Sequence, residues 1–192
     1  AGNFTKDGRF QDKYNGTFLS AGKAGDGSIK VDKIWYQFPV GESLQVWVGP
    51  AIENYYMLAS APSIYKPVTK QFALGGNAST YGSSTSPGFG VAWTQEVDDP
   101  SDARFAASIN YTSKVGGTSP TVGLLSDDAS ARNFTLTKIE YGSPQWQVSA
   151  AYGIKTGGKK YDGYYHTSAG KDYDGSDLTS IGLRAFWKPD TS

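Results

Sequence analysis

The chain has 192 residues, with 24 Gly, 13 Tyr, 9 Phe and 5 Trp, and its 18 Lys and Arg are matched by 18 Asp and Glu. That balance argues against nucleic acid as a partner, because phosphate binding takes a basic surplus. With no Cys and a single His, His166, the chain can build no disulfide scaffold, thiolate zinc site, Cys nucleophile or multi-histidine cage, and no window of about 18 apolar residues offers a transmembrane helix.

In chain order, Ala1–Phe4 reads as the end of a first strand. The segments 29–38 and 44–50 are apolar on both faces, and the alternation of the first breaks near Asp32–Lys33. A short helix fits 53–61. In 89–97, Phe89, Val91, Trp93 and Val97 oppose Gly90, Thr94 and Glu96. In 104–112, Phe105, Ala107, Ile109 and Tyr111 oppose Arg104, Ser108, Asn110 and Thr112. In 133–142 the phase changes: Phe134 and Leu136 share one parity, Ile139 and Tyr141 the other, which predicts a bulge near Thr137–Lys138. In 145–155, Trp146, Val148, Ala150, Tyr152 and Ile154 oppose Gln145, Gln147, Ser149 and Lys155; in 179–187, Ile181, Leu183 and Trp187 oppose Ser180, Gly182 and Arg184. Alternation with period two marks strands with one apolar face, and it gives seven strands and part of an eighth.

Connection lengths order these strands. Short turns at 39–43, 98–103 and 143–144 alternate with long connections at 5–28, 51–88, 113–132 and 156–177. In an antiparallel meander alternate connections lie at opposite ends, so all short turns share one end, as in outer-membrane barrels. Tyr36, Phe38, Phe105, Tyr141, Trp146 and Trp187 are expected near the short turns, and Phe89, Tyr111, Phe134 and Tyr152 near the long connections. Two aromatic belts of this kind bracket the apolar band of a membrane barrel. The expected fold is all-β: an antiparallel transmembrane β-barrel, with about eight strands of a larger barrel in this chain.

The run 32–50, DKIWYQFPVGESLQVWVGP, with Gly2-Asn3-Phe4 before it, resembles the strand–turn–strand of cyanobacterial outer-membrane porins, the OprB-like family that carries an S-layer-homology domain upstream. Beyond residue 50 the likeness is one of pattern. The resemblance implies passive diffusion of small polar solutes, carbohydrates and inorganic ions across the cell outer membrane by a homo-trimer, with membrane lipid as a partner and the cell wall bound through the upstream domain. It implies no cofactor, no nucleic acid and no enzyme activity. The chain begins at Ala1 without that domain and ends in Asp190-Thr191-Ser192 instead of an aromatic strand, so residues 1–192 are expected to be one internal barrel segment with both sheet edges open.

No hydrolase elbow, P-loop or dinucleotide fingerprint is present. His166 reads as a loop residue, and Asp172-Tyr173-Asp174-Gly175-Ser176-Asp177 lacks the bidentate Glu of a calcium loop. Of the sequons at Asn3, Asn15, Asn77, Asn110 and Asn133, the last two fall on strand faces, where a glycan would not fit. In a porin, the face opposite the aromatics would line the pore. It carries Lys33, Gln37, Glu96, Arg104, Asn110, Lys138, Glu140, Gln147, Lys155 and Arg184; such side chains replace part of a solute's hydration shell.

The connection 51–88 holds Tyr55, Tyr56, Met57, Leu58, Ile64, Tyr65, Phe72 and Leu74, which need a packing partner. Folded against the inner wall it would be a constriction loop, with Glu53, Tyr65, Lys66 and Lys70 at the pore and a mild preference for anions. Gly90, Ala92, Gly153 and Gly182 on the same face leave space for a wide barrel. Two alternatives stay open. One is a small closed eight-stranded barrel acting as an adhesin or surface receptor. The other is a soluble carbohydrate-binding β-sandwich using Tyr161, Tyr164 and Tyr165 as sugar platforms.

Overall fold

The computed structural model describes residues 31–64, 74, 77–82, 85–114, 116, 123–125, 133–156 and 177–189. They form one antiparallel sheet of seven strands in nearest-neighbour order: β1 (Ile34–Val40), β2 (Leu44–Ile52), β3 (Ser86–Thr94), β4 (Arg104–Ser113), β5 (Asn133–Gly142), β6 (Trp146–Lys155) and β7 (Leu178–Trp187). The all-β meander read from alternation is therefore the fold. The sheet is not closed among the described residues, and β1 and β7 are its edges. The strand expected at Ala1–Phe4 lies outside the described residues. Gly41, with φ of 65°, supplies the left-handed residue that lets β1 and β2 meet in a tight turn. Pro39, which has no N–H to give a ladder, sits on the edge strand.

Register lines up the two faces across the whole sheet. One row runs Val40–Leu44–Trp93–Ala107–Ile139–Ala150–Leu183 and the next Phe38–Val46–Val91–Ile109–Thr137–Tyr152–Ile181. A third runs Tyr36–Val48–Phe89–Tyr111–Thr135–Ile154. This apolar face is the exposed one: Ile181 retains 69% and Leu183 81% of its accessible surface. The opposite face carries Ser108, Asn110, Thr112, Lys138, Glu140, Ser149 and Lys155, all buried. A water-soluble sheet has the reverse arrangement.

Several expectations need correction. No bulge interrupts β5, which pairs regularly with β4 and β6 throughout. Phe134 and Leu136 instead lie on the polar face, fully buried under a covering segment, so Phe134 is not part of an exposed aromatic belt. Tyr36 lies in the row of Phe89 and Tyr111, towards the long connections, because β1 runs on through Pro39 to Val40. The irregularity expected near Asp32–Lys33 falls on β2, where Gly49–Ala51 carries one residue more than either neighbouring strand. That extra residue reverses the phase and leaves both Trp47 and Ile52 buried on the inner face.

The space expected above the glycines is occupied. Residues 53–64, here termed the strap, and a four-residue helix, α1 (Ala78–Tyr81), cover the polar face. The helix expected in 53–61 is a single 3-10 turn, Asn54–Tyr56. Asn77 caps α1 through its side-chain oxygen, which accepts from Thr80 N at 3.0 Å. A Cβ on Gly90 would stand 2.6 Å from the Cβ of Asn110 and 2.9 Å from that of Met57, so glycine there permits the strap's close approach. Two apolar clusters join cover to wall. Leu58, Leu74 and Tyr81 pack on Phe134, Leu136 and Ala151, while Met57 packs with Trp47, Ile52 and Ala92.

Candidate functional site

The strap crosses the polar face from β2 towards β7, and each step is held by a polar side chain of the wall. Asn54 is fully buried; its amide donates to Asn110 Oδ1 at 2.8 Å and its oxygen accepts from Thr112 Oγ1 at 2.9 Å. Asn110 in turn donates to Met57 O at 3.1 Å. Ala59 N donates to Ser108 Oγ at 2.8 Å. Ser60 Oγ lies 2.6 Å from Glu140 Oε2 and 3.3 Å from Gln147 Oε1. Lys138, ion-paired with Glu140, donates to Ser60 O and Oγ. Arg184 donates to Ala61 O at 2.6 Å. Alternation places these wall groups on one face, and nearest-neighbour pairing places them along one diagonal.

The start of the strap is fixed by charge. Glu53 is buried and pairs with Lys33 at 3.2 Å, and Lys33 stands over the Tyr56 ring. Burial opposes the Lys33 charge, but hydrogen bonds to Asp32 and Glu53 outweigh it and hold the ammonium above its usual range. Burial, followed by the neighbouring Glu53 carboxylate, pushes the Tyr55 hydroxyl up and keeps it neutral.

The residues expected to line a pore separate into three groups. Asn110, Lys138, Glu140 and Lys155 lie beneath the cover, with Lys155 over the ring of Phe134 at 4.5 Å. Arg104, Gln147 and Arg184 flank an open cleft of about 480 Å³ between residues 59–64 and the short-turn end of the wall. Gln37 is exposed beside Trp47 on the same face, while Lys33 precedes β1 and Glu96 follows β3, where its carboxylate accepts from Ser43. Of the expected constriction residues, Glu53 is at the strap's root; Tyr65, Lys66 and Lys70 lie outside the described residues, as do His166 and 172–176. Ser60, which contacts three wall side chains, carries no sequence signal beyond its place in an apolar loop.

Among the described residues no helix is long and apolar enough to cross a membrane, and no group of three acidic or His side chains is placed to hold a metal. No protein-family model matches the chain, nor does any curated protein or solved structure.

Proposed function

We propose that this chain is the wall and internal strap of an outer-membrane porin through which small polar solutes and inorganic ions diffuse passively. The observation that carries the reading is the inversion of the sheet: three rows, apolar but for Thr135 and Thr137, form its uncovered face, while Asn110, Lys138 and Glu140 on the opposite face are covered by the protein's own strap. Contiguous apolar surface on this scale calls for lipid or another protein against it. Lipid fits best, because strands β4 to β7 have ten residues each, within the 9–11 that a tilted strand needs to cross a bilayer.

Aromatic clusters support the same reading. Tyr141 contacts both Phe105 and Trp146 at the short-turn end of the apolar face, and Phe89 contacts Tyr111 at the other, as interfacial girdles would. The polar strap–wall contacts would narrow an aqueous lumen without closing it, and the resemblance of 32–50 to cyanobacterial porins points the same way. An unpaired strand edge cannot face hydrocarbon, so β1 and β7 need further strands or a second chain beside them.

The test is electrical. The protein reconstituted into planar bilayers should give discrete, ohmic conductance steps. Protein that inserts without conducting would contradict the reading.

A further inference from the structure

The cleft between the strap and the short-turn end of the wall carries an uneven set of charges. It is lined by Arg104, Arg184 and one carboxylate, Glu140. Glu140 is already engaged by the Lys138 ammonium and by Ser60 Oγ. Neither arginine forms an ion pair among the described residues. Each gives one donor to a backbone carbonyl, Arg104 to Pro100 O at 3.2 Å and Arg184 to Ala61 O at 2.6 Å. A guanidinium has five N–H donors, so both keep several for a passing solute.

Arg184 is also oriented. Its guanidinium lies 5.1 Å from the centroid of Phe186, which lines the same cleft. Ser149, paired across the strands between Glu140 and Arg184, is buried, and its hydroxyl has no hydrogen-bond partner among the described residues. Ser149 does not itself line the cleft; the spare hydrogen-bonding capacity there is that of the two arginines, and it carries positive charge that no ion pair offsets among the described residues.

From this arrangement we infer that the cleft selects small anions, chloride and oxyanions such as phosphate or carboxylates, and that Arg104 and Arg184 are its specificity-determining residues. The inference rests on the pore reading above and gives it a solute class. Opposing charge exists at the short-turn end, where Glu42, Glu96, Asp98, Asp99 and Asp102 stand, but none of them lines the cleft. They lie in exposed turns, and none of them is ion-paired with either arginine among the described residues. The arginines act at contact distance, where screening by salt is weakest.

The experiment is the reversal potential of the bilayer-reconstituted protein in a potassium chloride gradient, followed by addition of inorganic phosphate. The wild type should favour chloride over potassium, and phosphate should depress its chloride current. Arg104→Gln with Arg184→Gln should bring the permeability ratio close to one and abolish the phosphate effect, while Arg104→Lys with Arg184→Lys should keep the preference for chloride. A conducting wild type with no anion preference, or a glutamine variant that retains the wild-type ratio, overturns the inference and leaves the pore reading intact. If the glutamine variant does not insert, the wild-type ratio and phosphate response decide. Inserted protein that passes no current overturns both.

Discussion

Lys138 Nζ donates to both the carbonyl oxygen and the hydroxyl of Ser60, at 3.0 and 2.7 Å, from a side chain with no exposed surface. It also neutralises Glu140, two residues along the same strand face. The lysine thus anchors the strap and compensates a buried carboxylate. Removing one partner of a buried pair typically costs about 3–5 kcal/mol, because the other charge is left alone in low dielectric. Lys138→Met should destabilise the protein by that order in denaturant titrations, and Lys138→Met with Glu140→Gln should recover most of it. A loss in the double variant equal to the sum of the Lys138→Met and Glu140→Gln losses would show that the pair is not energetically coupled.

The bare rows respond to charge according to their surroundings. If they face hydrocarbon, Ile109→Lys or Val148→Lys should each cost roughly 2–4 kcal/mol near the bilayer midplane. The same substitutions on a water-exposed sheet would be nearly neutral. Unfolding titrations in lipid vesicles separate the two outcomes.

Gly90 tests the close approach of the strap. A larger side chain there meets Asn110 and Met57 at once, and overpacking of this kind costs about 1–3 kcal/mol. Met57 belongs to the strap, and Asn110, on the laddered wall, carries the hydrogen bonds that hold Asn54 and Met57, so an added side chain displaces both the strap and its anchor. Gly90→Leu should raise single-channel conductance with a loss of stability of that order. Unchanged conductance would mean that the strap does not restrict the path.

The Lys33–Glu53 pair fixes the pH behaviour of the strap's root. Its ammonium is held above the ordinary lysine value of about 10.4. A group raised on folding contributes its full stabilisation below the unfolded value and loses it as pH rises through the folded one. The contribution should be flat across neutral pH and decline only above about 10.4. Comparing wild type with Lys33→Met over pH 7 to 11 checks this; a difference that declines already near neutrality would contradict it.

Most of the fold was legible because period-two patterning is imposed by the backbone and needs no tertiary information. The faces of β4, β6 and β7 follow directly from it. The reading of β5 went astray at Phe134 and Leu136 for a physical reason: alternation assumes one environment per face, and here the inner face is apolar where Leu58, Leu74 and Tyr81 cover it and polar where Ser60 does. The need for a partner was visible in Tyr55, Met57 and Leu58, but the polar contacts were not. Asn54–Asn110 and Lys138–Ser60 join residues more than fifty positions apart, and only the folded register brings them together. Helix α1, at four residues, is too short to show a helical period.

Which face meets lipid can be measured directly. The chain has no Cys, so single substitutions at Ile109, Ile139, Ile181 and Leu183, and at Ser108 and Ser149 on the other face, can each carry one nitroxide label in vesicles. The four apolar sites should be readily relaxed by oxygen and shielded from a water-soluble nickel complex, while the two serine sites should be poorly accessible to oxygen. Strong relaxation of the four apolar sites by the nickel complex would place that face in water and contradict a membrane wall.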